Sequence, residues 1–507
     1  MKAAARATML AAVFVVFGSG ARAQLPPTAS FRSTPPLAAV ELAPPATTVD
    51  PAAFARLSVL APLRYAIWTR DESGNWRRKV DVAQASTQGA GVFGTLKLGT
   101  HSALIGNVEL ERTTNMSSTG ALLSAFTTAP LAVIDTFAPQ LTGTALRLEG
   151  TMARTVGRWD AGLTARYAGV EAVSAHSARM RTEQASALEI VAGAGRQVGG
   201  SGRVAASVRW RDANETVRLM PNPFGGIAYY FVGFEDPLPL SYDQNIIYRR
   251  SANGALDASL IASTGSVRRG FGLVLQRLQQ HDNQHTQRVA DSPLDRWSSA
   301  GWGGTATAHL ALRDTLRRAS MRLSAKSAED ETIRHDLSTP VHHASRSEAT
   351  LGVRVETPWS WIPGTRWTLG LDARMEDATH DDYLKRTQWT RTANGWLGSA
   401  RADWRARRGH SLAALAAFGM LTPSSVLPSP TVLGPAFRAW LYDAFALEGT
   451  PTTTTRAAVD IGWPLGNGDR VHLVVDGMIT SPRNATLPLV PTGKRGVVTV
   501  SVRWEPR

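Results

Sequence analysis

The sequence contains no cysteine. Disulfide staples, thiolate metal ligands and thiol nucleophiles are therefore absent from its chemistry. Long apolar runs are missing too. Beyond the first 23 residues the longest, from Leu412 to Leu421, is about half of the roughly 20 residues that a membrane-spanning helix needs. Acidic residues are in the minority, with 41 Asp and Glu against 55 Lys and Arg, for a formal net charge of +14. A surplus of that sign attracts anionic partners.

What is present begins with an export signal. Lys2 and Arg6 make a positive start, Met9 to Gly18 an apolar stretch, and Ala21-Arg22-Ala23 a small-x-small cleavage site ahead of Gln24. Residues 1–23 are therefore expected to be a cleaved signal peptide. Its loss removes three of the positive charges, and the remaining excess still favours anions. Export argues against nucleic acid as the partner and for anionic head groups or solutes.

Residues 24–58 read as a Pro/Ala-rich periplasmic linker. Pro26, Pro27, Pro35, Pro36, Pro44, Pro45 and Pro51 stand among Ala and Thr without a sustained apolar period, so the segment is expected to be extended and to build no core. The rest, 59–507, reads as one β-domain. From about residue 90 the pattern has period two. In Arg158 to Gly169, Trp159, Ala161, Leu163, Ala165 and Tyr167 share one face, and Arg158, Asp160, Thr164 and Arg166 share the other. Successive side chains of a strand point to opposite sides, which makes this a strand with one apolar and one charged face. The pattern recurs at Leu146/Leu148, Val204 to Trp210, Ala319 to Leu323, Leu351 to Val355, Trp367 to Met375 and Val498 to Trp504.

A soluble antiparallel sandwich also alternates, but three features favour a membrane barrel. The strands are long, roughly ten to twelve residues against a soluble mode of about five or six, and tilted membrane strands need about nine to eleven. Full charges stand at mid-strand. Short connections near 100–102, 155–158, 197–201, 265–268, 313–317, 358–365, 407–410 and 464–468 alternate with long ones near 113–141, 171–185, 213–252, 281–301, 328–346, 377–394, 421–453 and 481–494. Short periplasmic turns and long extracellular loops produce that order. The fold class is therefore an all-β transmembrane antiparallel up-and-down β-barrel. Both termini on one side require an even count. Eighteen strands is the central expectation and sixteen the alternative, with either Leu60 to Arg70 or Arg77 to Ser86 supplying the first. Trp159, Trp367, Trp404, Trp463 and Trp504 fall near short turns or the C-terminus, where an aromatic belt at the membrane interface would place them.

On these patterns the region from about residue 60 resembles Gram-negative outer-membrane β-barrels of porin-like size. Its terminal strand, Gly496 to Trp504, resembles the signal by which such proteins engage the barrel-assembly machinery, although Glu505-Pro506-Arg507 follow the aromatic. The resemblance implies integration into the bacterial outer membrane, among its lipids and lipopolysaccharide. The segment before the barrel is too short for the plug domain of a TonB-dependent receptor.

For function, the strand registers turn Arg166, Arg209, Arg322, Arg354, Arg374 and Arg401 inward. Arg203, Arg456 and Arg503 face the same way, as do Glu149, Asp160, Glu189, Asp257, Glu376 and Asp476. Such charges either brace the wall by cross-strand pairing or bias the interior toward anions. Loop 213–252 is unusually apolar for a solvated segment, and Phe224, Tyr229, Tyr230 and Asp236 are its constriction candidates. Histidines at 281, 285, 335, 342, 343 and 380 fall in expected loops, where solvated side chains are the ordinary reading. No catalytic residues, metal ligands or cofactor site are expected. The sequence reads as a passive channel for small, anionic solutes, or alternatively as a surface protein that works through its outer loops in adhesion or envelope organisation.

Overall fold

Period-two side-chain alternation can bury polar residues and expose apolar ones only if a sheet closes on itself, and the computed structural model closes. In chain order the strands are β1 (Arg64–Gly74), β2 (Gln84–Leu98), β3 (Ser102–Ser117), β4 (Leu131–Asp135), β5 (Gln140–Val156), β6 (Trp159–Ser174) and β7 (Arg181–Val198). There follow β8 (Gly202–Leu219), β9 (Ala228–Val232), β10 (Leu238–Leu240), β11 (Ile247–Gly265), β12 (Arg269–Gln287), β13 (Asp291–Ala311) and β14 (Arg318–Arg334). The last are β15 (Thr339–Pro358), β16 (Thr365–Asp382), β17 (Thr387–Arg405), β18 (Ser411–Val426), β19 (Thr452–Pro464), β20 (Arg470–Pro482) and β21 (Arg495–Glu505). The structure describes residues 50–506 except 57–62, 76–83, 100, 118–130, 136–139, 175–180, 220–227, 233–237, 241–246, 266–268, 288–290, 312–316, 335–336, 359–361, 385, 407–408, 427–434, 436–441, 443–445, 448, 467 and 484–492.

Eighteen strands form one antiparallel sheet in which each barrel strand pairs with the next, and β1 pairs with β21 to shut the ring. The closing register sets Tyr65 opposite Trp504, and their rings stack with centroids 5.1 Å apart. Closure leaves no unpaired edge, the condition for a sheet to sit in hydrocarbon. The first strand is the Leu60 to Arg70 candidate, and the count is eighteen. Outside the ring sheet, β9 pairs with both β4 and β10, joining the connections that follow β3 and β8.

The eight short turns stand at one end, which we call the turn end. Gly157 and Gly199 occupy them at φ values of 62° and 64°, a left-handed conformation that a side chain would strain. The opposite loop end differs from expectation. Residues 281–301, 328–346 and 377–394 are mostly strand, because β12 and β13 are separated only by 288–290, β14 and β15 by 335–338, and β16 and β17 by 383–386. The physical reason is that alternation is visible only where one face meets an apolar medium. Above the apolar zone both faces of these strands are polar, as at Thr379 to Asp382, while the backbone ladder continues. β13 accordingly reaches 21 residues.

The pattern is inside-out. Outward residues such as Leu260 (63% exposed) and Met375 (61%) are bare, while inward Asp160 (1%) and Asp257 (2%) are buried. A soluble sandwich buries its apolar face, so this distribution excludes one. Outward Trp159, Trp404, Trp463 and Trp504 stand beside the turn end, and Trp210, Trp302 and Trp396 mark the upper edge of the apolar zone. Arg196 lies over the Trp159 ring and Arg277 over the Trp302 ring.

The N-terminal segment enters the ring. Pro51–Arg56 form a 3-10 turn that packs on the inner faces of β5, β6 and β7. Residues 50–56 therefore differ from the extended linker expected of them: Asp50 and Ala52 are fully buried.

Candidate functional site

The functional candidate is the lumen wall, where cross-strand register decides what each inward charge meets. On β6, Arg166 stands opposite Glu149 of β5 and Glu189 of β7. Its Nε donates to Glu149 Oε1 at 3.1 Å and its Nη1 to Glu189 Oε1 at 2.5 Å. Arg209 on β8 continues the chain of charges by pairing with Glu189 at 3.8 Å and with Asp257 of β11. Arg147 extends it the other way, to Glu109 and Glu111 at 3.4 and 3.0 Å. Trp68, turned inward on β1, donates its indole N–H to Glu111 at 3.2 Å. The wall from β3 to β11 is thus laced by ion pairs between opposite charges on neighbouring strands, and the Trp68 hydrogen bond ties β1 to it.

A second lattice crosses the closure. Arg456 binds Asp476 at 2.5 Å, Arg503 binds Asp460 at 3.1 Å and Glu505 at 3.3 Å, and Arg64 binds Glu505 at 2.9 Å. His472 Nδ1 lies 2.8 Å from Asp460. On β15 to β17, Arg374 binds Glu348 and Glu376 at 3.2 Å each, Arg391 binds Glu376 at 2.9 Å, and Arg401 binds Asp403 at 2.7 Å.

Arg322 and Arg354 behave differently. Arg322 stands between Thr307 and Gly352, and Arg354 between Ser320 and Gly370. Neither neighbour is charged. Both side chains face inward, both are exposed, and among the described residues neither has an ion pair. Lys326, further along the same inner face of β14, is exposed and stands across from Gly303 and Glu348; among the described residues it has no ion pair. Arg322 and Arg354 form a free basic strip in the turn-end half of the lumen, and Lys326 stands above them at mid-strand.

The loop-end half is packed. Arg181 with Glu183, Arg391 and Trp389 are almost wholly buried. His342 and His380, expected as solvated loop residues, are inward members of β15 and β16. Their rings lie 5.5 Å apart, and the His380 ring packs tilted against Trp389 at 4.4 Å. The sequence disguised them because the strands carrying them are polar on both faces there. Among the described residues no group of three or more His, Asp or Glu is placed to hold a metal ion.

Of the constriction candidates, Phe224 and Asp236 lie outside the described residues. Tyr229 and Tyr230 lie on β9, with Tyr230 opposite Val133 of β4 and Leu238 of β10. Sequence reasoning missed Asp50, whose carboxylate sits 2.5 Å from Arg203. An acid followed by proline, Asp50-Pro51, was the available signal, since that pair favours turns.

The family described as "Family of unknown function (DUF6850)" matches residues 67–504, from within β1 to within β21. No curated protein matches the chain. Among solved structures, the ferric yersiniabactin uptake receptor FyuA from Yersinia pestis is 11% identical, with 87% of this chain and 80% of that chain covered and a TM-score of 0.41. A FadL homologue from Pseudomonas aeruginosa is 11% identical over 90% of this chain and 92% of that one, with a TM-score of 0.32. The toluene transporter TodX from Pseudomonas putida is 10% identical over 90% and 92%, with a TM-score of 0.29.

Proposed function

The chain belongs to this family of unknown function, and we propose that it is an outer-membrane channel for small solutes whose interior field favours anions. The turn end faces the periplasm and the loop end faces outward. An eighteen-stranded ring is wide enough to enclose an aqueous path unless something fills it. The observation that carries the reading is the free basic strip: Arg322 and Arg354 project exposed from the inner wall with no ion pair among the described residues. Paired charges largely cancel at a distance, so a strip of unpaired cations sets the sign of the local potential.

The test is the reversal potential of the purified barrel in a planar bilayer under a potassium chloride gradient. Anion preference is expected, and the double variant Arg322→Ser, Arg354→Ser moves the reversal potential toward zero. Cation preference in the unmodified protein overturns the reading.

One observation favours a second reading, a surface protein that passes nothing. Inward side chains at the loop end, Trp389, Arg391 and Arg181 among them, are buried as in a filled interior. Liposome swelling in small sugars separates the two, since a filled lumen gives none.

A further inference from the structure

The periplasmic mouth carries a feature that channel selectivity does not explain. The inner faces of β6 and β7 omit side chains at Gly162 and Gly193, and the chain's own Asp50-Pro51-Ala52 occupies the space. A Cβ at Gly162 would overlap the Pro51 carbonyl carbon and the Ala52 nitrogen. One at Gly193 would come within 2.7 Å of Asp50 Oδ1 and 3.0 Å of Pro51 Cδ. Neither glycine has a positive φ, so turn geometry does not require them. Clearance for the segment does.

The seat is polar where the segment is polar. Arg203 on β8 reaches Asp50 at 2.5 Å and Asp160 at 3.3 Å. Thr155 donates its hydroxyl to the other oxygen of Asp160 at 2.8 Å. The Ala52 amide donates to Asp50 Oδ1 at 3.0 Å, which fixes the start of the 3-10 turn. The floor consists of Thr151, Ala153 and Thr164, all buried, with the two threonine hydroxyls 2.7 Å apart. A fully buried carboxylate needs its cation, because removing either partner strands the other charge away from water.

We propose that this mouth is a peptide-binding seat for a short segment that leads with a carboxylate, that Asp50–Arg56 is its resident ligand, and that the seated segment narrows the channel. The seat recognises a carboxylate held by Arg203, followed by proline and a small residue lying over Gly162 and Gly193. The narrowing rests on the channel reading above. Occupation of the seat does not.

Two measurements keep these apart. Because the chain lacks cysteine, Ala52→Cys supplies a single thiol for a membrane-impermeant maleimide, applied to barrels whose fold is checked by the gel shift on boiling. The thiol is shielded in the otherwise unmodified protein. Adding Gly162→Ala, Gly193→Ala or Asp50→Asn speeds labelling by about tenfold or more, as expected when a buried ion pair or its clearance is lost. Gly477→Ala, at a strand glycine with nothing near its Cβ position, leaves the rate unchanged. Labelling that is equally fast without these changes overturns the seat. Asp50→Asn alters no wall residue and carries the test if a glycine variant fails to fold. In the bilayer, the same three substitutions without the cysteine raise single-channel conductance. Equal conductance across all variants refutes the narrowing, whereas silence from every variant refutes the channel and leaves the seat to the labelling result.

Discussion

Two stretches of one wall, β5 to β8 with β11 and β13 to β16, use the same pleat and the same residue types, yet hold Arg166 and Arg209 on the one and Arg322 and Arg354 on the other in opposite ways. On the first, Arg166 and Arg209 stand directly across from acids and are tied down. On the second, Arg322 and Arg354 stand across from glycine, serine or threonine and remain free. Composition cannot distinguish the two, but register can. A one-residue slip in either hairpin would turn every such charge toward lipid, so the pairing is fixed mainly by the apolar outer face and only then inherited by the charges within.

The sharpest way to break this comparison is to put a charge on the wrong face. Leu260→Arg, in the bare apolar zone of β11, is expected to destabilise the barrel in phospholipid vesicles by about 2–4 kcal/mol, read from guanidinium unfolding curves. A smaller effect follows from cutting the laced wall. Glu189→Gln removes the acid shared by Arg166 and Arg209 and should cost about 1–2 kcal/mol in the same assay, below the figure for a dry interior because the arginines are partly solvated. Least of all, Arg322→Ser with Arg354→Ser should leave stability within about 0.5 kcal/mol, as for surface sites without partners. If the two wall substitutions had equal effects on stability, the distinction between laced and free walls would fail.

Much of this was legible beforehand. The eight turns could be read because each interrupts an alternation that is strong on both sides, and the inward direction of Arg166 or Arg374 follows from the apolar residues flanking it. Partners were not legible, since Arg166 meets Glu149 and Glu189 only through the register of three strands. The upper strands were lost for a different reason. Where both faces are wet, as around His342 and His380, hydrogen bonding persists without a hydropathy signature. The seat of Asp50 was hidden because the composition of 24–58 describes a segment without a core of its own, and the core it joins belongs to the barrel.

The central claim, lipid on one side of each strand and water on the other, is tested most directly by nitroxides attached one at a time to residues 320–325 of β14. The absence of native cysteine makes each label unique. Positions 321 and 323 should be relaxed by oxygen dissolved in the bilayer, and positions 322 and 324 by a water-soluble nickel complex, in strict alternation. Uniform relaxation along the strand, or alternation of the opposite phase, would contradict the account.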